Sequence, residues 1–127
     1  MFTVRKSATF SAAHALRNYE GRCARTHGHD YRVELVIQGR ELDHRDLLVD
    51  FYDLDAAMAS VVERIDHRHL NEIPPFDTVN PSAEAIARWF HDELNTKIQE
   101  ISGGRATLQA VRLWETPDAV AVYEPGS

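Results

Sequence analysis

Residues 2 to 14 alternate between apolar and polar side chains. Phe2, Val4, Ala8, Phe10 and Ala12 share one phase, Thr3, Arg5, Ser7, Thr9 and Ser11 the other, and Lys6 breaks the apolar set. A period of two predicts a half-buried strand. Residues 29 to 38 alternate again, with Tyr31, Val33, Leu35 and Ile37 on one face and Asp30, Arg32, Glu34 and Gln38 on the other. An arginine-rich loop, residues 17 to 26, joins the two. A polar turn at 43 to 46 and a short apolar piece at 47 to 49 follow. A helix is then predicted from Asp53, a good N-cap, with Leu54, Met58, Val61, Val62 and Ile65 at helical spacing. Residues 66 to 79 contain Pro74-Pro75 and read as a loop. Asn80-Pro81 opens a second helix whose stripe is Ile86, Phe90, Leu94, Ile98 and Ile101, and Gly103-Gly104 stops it. Two further strands, about 107 to 115 and 119 to 124, flank Thr116-Pro117-Asp118. Both phases of 119 to 123 are largely apolar, which predicts a strand covered on both faces.

The order is ββααββ. It predicts an α+β fold, a four-stranded antiparallel sheet with two helices on one face. Apolar residues on the other face then call for a partner, and oligomerisation supplies one. The chain has 127 residues and a formal net charge of -6, which suits one domain, residues 1–127. The acidic balance argues against nucleic acid as a partner, although a few local arginines can still hold a small anionic substrate. No apolar run approaches the roughly 18 to 20 residues needed to cross a bilayer, and the opening residues carry no apolar signal core. A single cysteine, Cys23, excludes an intrachain disulfide and suits the reducing cytoplasm.

Seven histidines stand out in this composition. His14 shares the phase of Phe10 and Ala12, and His27 and His29 share that of Tyr31 and Val33. His14 ends the first strand and His27 and His29 begin the second, so an antiparallel hairpin brings all three imidazoles to one sheet end on the core face. Three histidines with a fourth position open form a catalytic zinc arrangement, and imidazole suits zinc better than magnesium or calcium. Gly28 between two of them would let the backbone pass close to the metal. Cys23 lies four residues before His27 among Arg17, Arg22 and Arg25. Positive neighbours and a metal would lower its pKa, making it a base, a fourth ligand, or simply a small buried residue. Asp66-His67 ends the first helix, as a proton relay or as a histidine favoured by the helix dipole. Glu115 ends the third strand; facing inward, its carboxylate would need a partner or a ligand, such as one with paired N–H donors. His44 and His91 read as surface residues.

The segments Phe10-Ser11-Ala12-Ala13-His14, Cys23-Ala24-Arg25-Thr26-His27-Gly28-His29, Val49-Asp50-Phe51, Asp66-His67-Arg68-His69-Leu70-Asn71, Asn80-Pro81-Ser82-Ala83-Glu84 and Trp114-Glu115-Thr116 run the length of the chain. Together they resemble the 6-pyruvoyl-tetrahydropterin synthase / 6-carboxytetrahydropterin synthase family. The resemblance implies the tunnelling fold, with trimers closing their sheets into a barrel and two trimers stacking as a homohexamer. It implies zinc on His14, His27 and His29, catalysis by Cys23 with Asp66 and His67 of a neighbouring subunit, and pterin binding by Glu115, with Glu84 and Ser82 near the ring. The implied reaction is loss of triphosphate from 7,8-dihydroneopterin triphosphate. Three residues between the cysteine and His-Gly-His resemble the queuosine-pathway type, which yields 6-carboxy-5,6,7,8-tetrahydropterin and acetaldehyde. The alternatives are 6-pyruvoyl-tetrahydropterin and, through Glu20, cleavage to 6-hydroxymethyl-dihydropterin for folate. A catalytically silent zinc and pterin binder is the non-enzyme reading. A zinc hydrolase would want a His-Glu-x-x-His motif, which is missing.

Overall fold

A computed structural model of the chain describes residues 1–21 and 24–126. Strands β1 (Phe2–His14) and β2 (His27–Gly39) form a long hairpin. Helix α1 (Phe51–Val62), a short strand β3 (Arg68–His69), helix α2 (Ala83–Ile101) and strands β4 (Thr107–Thr116) and β5 (Ala119–Tyr123) complete it. The sheet order is β3-β1-β2-β4-β5. The predicted ββααββ order and its antiparallel pairings are present. The structure adds β3, which pairs parallel with β1 through Ala12–Arg68 and Ala13–His69. The loop expectation for 66 to 79 missed it because two residues carry no periodicity; the free edge of β1 creates the strand.

Alternation decides which face is inside. Phe10 and Ala12 of β1 and Tyr31, Val33, Leu35 and Ile37 of β2 are buried under the helices. Phe10 stacks on Tyr31 with ring centroids 4.9 Å apart and meets Phe90 of α2 at 5.7 Å. Burying each such side chain contributes about 1.5–3 kcal/mol. Lys6, the dissenter, lies in the inward phase and turns its ammonium to Asp55 at 3.0 Å.

Four expectations are corrected. Asp50, not Asp53, caps α1, because its carboxylate accepts from Tyr52 N–H at 2.7 Å and lets the helix start earlier. Ser82 caps α2, its hydroxyl accepting from Ala85 N–H at 3.2 Å, so Pro81 stays outside the first turn. His91 is buried, not superficial: α2 presents it to β4, and its Nε2 lies 2.9 Å from the Leu108 carbonyl. Finally β5 is not covered on both faces within the chain. It is the sheet edge: α2 covers one face, with His91 against Tyr123 at 5.3 Å, while Val120 and Val122 on the other face are 49% and 50% exposed. The rest of that open face is mainly polar. Glu34 is buried there between Arg112, 3.0 Å away, and Arg32, which also lies over Trp114.

Gly39 closes the hairpin's far end against Leu48 and residue 105. A Cβ at this position would run into the Arg105 carbonyl oxygen and Leu48 Cδ1. Backbone cannot yield as a side-chain tip can, so Gly39→Ala is expected to destabilise the fold by about 1–3 kcal/mol, read as a lower urea midpoint.

Candidate metal centre and active site

The β1–β2 register places His14 opposite His27 and Ala12 opposite His29. The three imidazoles converge as the phases predicted, with ring centroids 4.6 to 5.2 Å apart. One ligand nitrogen from each lies within 4.8 Å of the others, so the group could hold a metal ion. Two of the rings are oriented by backbone. His14 Nδ1 lies 2.7 Å from the Pro81 carbonyl, and His27 Nδ1 lies 2.7 Å from the Arg25 carbonyl. A carbonyl only accepts, so each Nδ1 carries the proton and each Nε2 presents a lone pair. Those two Nε2 atoms face each other at 3.0 Å. Two lone pairs at that distance repel unless a cation or a shared proton sits between them. The third nitrogen, His29 Nε2, is buried with no hydrogen-bond partner. An orphaned buried nitrogen beside two opposed lone pairs is the donor set a borderline-soft divalent metal satisfies.

Burial pushes the His14 pKa below 6.5, outweighing the Pro81 carbonyl and Glu115 carboxylate that favour its charged form. The ring is thus held neutral, the form that ligates. Tyr31 lies beneath the cluster; burial, then the Glu115 charge, push its hydroxyl above its ordinary range, so it stays protonated.

Glu115 continues the phase of Val111 and Leu113 and therefore faces inward, as its proposed role requires. One carboxylate oxygen lies 3.1 Å from His14 Nε2 and 3.5 Å from His29 Nε2. Gly28 lies on the opposite face; a Cβ there would meet only the Ala12 carbonyl oxygen, at 3.8 Å. Close approach to a metal therefore does not explain this glycine.

Asp66 and His67 form the expected pair, with His67 Nδ1 2.8 Å from Asp66 Oδ1. They do not end α1, which stops at Val62; they lie beyond a turn, against β1. Ser11 N–H donates to Asp66 Oδ1 at 3.0 Å, and His67 N–H donates to the Ser11 carbonyl at 2.6 Å. The helix-dipole reading of His67 thus falls away. His67 lines a cleft of about 470 Å³ with Ser11, Ala13, Asp30 and His69, and His29 of the imidazole cluster borders it too. Ser11, Ala13 and Asp30 have the phase opposite to His14. Among the described residues, no hydrogen bond or ion pair joins Asp66 or His67 to the imidazole cluster.

Glu84 is exposed in the first turn of α2. Ser82 caps that helix, its hydroxyl oxygen accepting from Ala85 N–H. Glu20 and Arg25 are exposed. Arg17 is not free for an anion. Its guanidinium donates to the carbonyls of Phe76 at 2.7 Å and Val79 at 3.3 Å. Cys23 and Arg22 lie outside the described residues. Sequence reasoning passed over Pro81 and Asn80 as site builders. Their only signal was membership of a motif, because a backbone carbonyl's role is invisible in side-chain patterns.

Fold and centre together define an α+β protein with a three-histidine site, able to hold a metal, at one end of its sheet. The sequence profile described as 6-pyruvoyl tetrahydropterin synthase matches residues 3–126, and the chain belongs to that family. It is 31% identical over 129 residues to a 6-carboxy-5,6,7,8-tetrahydropterin synthase of Bacillus subtilis, covering 98% of this chain and 86% of that one. It is 31% identical over 128 residues to the protein of the same description in Synechocystis, covering 97% and 93%. The solved 6-pyruvoyl tetrahydropterin synthase of Caenorhabditis elegans superposes with a TM-score of 0.83 at 23% identity, covering 98% of this chain and 96% of that one. The tunnelling fold implied by the sequence is therefore the fold present.

The depressed His14 pKa has a measurable consequence. The unfolded chain takes up a proton near pH 6.5 that the folded, metal-free chain refuses, so stability falls as pH drops below that value. The slope owed to His14 cannot exceed about 1.4 kcal/mol per pH unit. Denaturation midpoints between pH 5 and 8, with His14→Gln as reference, are expected to show this slope only in the unmodified protein.

Proposed function

We propose that this chain is a zinc-dependent lyase acting on 7,8-dihydroneopterin triphosphate, releasing triphosphate and acetaldehyde and yielding 6-carboxy-5,6,7,8-tetrahydropterin. The observation that carries the reading is the three-imidazole centre with Glu115 on the same face, in a chain whose relatives bear that enzyme's description. Zinc held by His14, His27 and His29 would supply Lewis-acid polarisation of the substrate's side-chain hydroxyls. Cys23 removes a side-chain proton. His67, with its proton fixed by Asp66, moves protons during the internal redox step. Glu115 receives the pterin's paired N–H donors, its present partners at His14 and His29 being the nitrogens a metal would occupy. Glu84 and Ser82 meet the ring at the start of α2, and Arg22 or Arg25 meets the phosphates.

The active site is completed between subunits. Within one chain the cleft that His67 lines is walled mainly by strand positions of the phase opposite to His14, and no hydrogen bond or ion pair among the described residues joins Asp66 or His67 to the imidazoles. In this reading the pair serves a neighbour's metal. The open edge of β5 and exposed Val120 and Val122 suit the sheet-to-sheet contacts this needs. Trimers closing a barrel and stacking as a homohexamer, each chain one domain, satisfy the requirement. No helix among the described residues is long and apolar enough to cross a membrane, which suits a cytoplasmic enzyme.

Incubating the zinc-loaded protein with 7,8-dihydroneopterin triphosphate and identifying the pterin by mass spectrometry tests the reading. Carboxytetrahydropterin with acetaldehyde is the expected outcome. A pyruvoyl product would place the chain with the 6-pyruvoyl type, hydroxymethyl-dihydropterin would move the chemistry to Glu20, and unchanged substrate would leave a silent binder. Cys23→Ala is expected to keep zinc and lose turnover about a hundredfold or more.

The shared site has its own test. His14→Ala and His67→Ala proteins are each expected to be inactive. Subunits dissociated, mixed in equal amounts and reassociated should regain about a quarter of the unmodified rate, the share of interfaces with both intact residues. No recovery would mean that each chain works alone.

A further inference from the structure

The inner edge of β1 is paired along its length with β2, but its other edge is covered only near His14. In an extended strand, alternate residues turn both N–H and C=O to the same edge. Here these are Ser11 and Ala13 within β1, and the chain leaving the strand turns Ala15 and Arg17 to the same side. Ser11 is met by Asp66 and the His67 backbone, and Ala13 by His69 of β3. Past His69 the neighbouring chain turns away into a short 3-10 turn, Leu70–Glu72, yet the ladder continues through side chains. Ala15 N–H donates to Asn71 Oδ1 and its carbonyl accepts from Asn71 Nδ2, both at 2.9 Å. Arg17 N–H donates to Asn80 Oδ1 at 2.7 Å, and its carbonyl accepts from Asn80 Nδ2 at 2.8 Å. A primary amide carries an acceptor and a donor side by side, as a peptide group does, so each asparagine stands in for a strand residue.

The residue after Asn80 is Pro81, whose carbonyl takes the His14 Nδ1 proton at 2.7 Å. Next comes Ser82, which caps α2. One amide therefore ties three things together: the chain leaving β1, the carbonyl that orients a metal ligand, and the helix start carrying Ser82 and Glu84.

We propose that Asn80 is a positioning residue of the metal centre. By pairing with the Arg17 backbone it sets the Pro81 carbonyl against His14 Nδ1, and so aims His14 Nε2 at the ion in fixed register with the first turn of α2. Asn71 holds Ala15, two residues earlier, in the same way. This rests on the reading of His14, His27 and His29 as a metal site, and not on which pterin is bound. Only an amide suffices at this position. Aspartate keeps the acceptor for Arg17 N–H but sets an anion against the Arg17 carbonyl, and alanine offers neither bond.

The test is zinc binding by the full chain. Affinity is measured by competition with a chromophoric chelator, and geometry by the visible absorption of the cobalt(II)-loaded protein. Asn80→Asp is expected to weaken zinc binding roughly ten- to hundredfold and to change the cobalt spectrum. Asn95→Asp, remote from the centre, is expected to change neither. A folded Asn80→Asp with unmodified affinity and spectrum overturns the proposal. Where that variant does not fold, the unmodified protein decides: coupling is reciprocal, so zinc must slow amide hydrogen exchange at Arg17. An Arg17 amide indifferent to zinc overturns the proposal too. Failure of the unmodified chain to bind zinc at all would instead sink the metal reading beneath it.

Discussion

Three imidazoles that converge with unshared lone pairs are the constraint around which this sheet end is built. His14 and His27 each give their Nδ1 proton to a backbone carbonyl, so their Nε2 atoms can only confront one another, 3.0 Å apart. His29 adds a third nitrogen that makes no hydrogen bond and lies 3.5 Å from the Glu115 carboxylate. Such lone pairs call for a cation between them. The surroundings leave the rings little room to turn away. His14 is 1% exposed, and Tyr31, stacked against Phe10, fills the space beneath. Packing energy holds in place a polar cluster that would otherwise relax.

The same end of the sheet is braced on its open side. β1 outruns the strand that pairs with its outer edge, and the deficit is made good by an aspartate, two asparagines and the guanidinium of Arg17. These groups spend their hydrogen bonds on backbone. That is why residues 66 to 81, with little regular structure, still form a rigid wall, and why the short β3 matters more than its length suggests. The wall has two sides of use. Pro81 serves the imidazoles, while His67, paired with Asp66, lines the cleft beside β3.

The legible parts of the sequence were those governed by local periodicity. Period two along β1 and β2 placed Phe10, Tyr31, Val33 and Leu35 inside, and by the same arithmetic put His14, His27 and His29 on the core face. Helical spacing identified the buried face of α2 through Ile86, Phe90, Leu94 and Ile98. Where several residues compete for the same local task, the pattern misled: Asp50 and Asp53 can both cap α1, and Pro81 suits a first helical turn in general, though here its carbonyl is needed by His14. His91 misled for the opposite reason. Its polarity suggested solvent, but a single bond to the Leu108 carbonyl permits burial.

By itself, then, the sequence determined the ββααββ order, the inward face of each long strand, and the meeting of three histidines at one sheet end. Each of these follows from side-chain direction along a single element. Only the tertiary structure decided the ring orientations, the lone-pair opposition, the placing of Glu115 against His14 and His29, the addition of β3, and the placing of Asp66–His67 against the outer edge of β1. These depend on contacts between residues far apart in the chain, such as His14 with Pro81 and Arg17 with Asn80. Many of them involve backbone carbonyls and amides, which every residue carries and no pattern of side chains reveals.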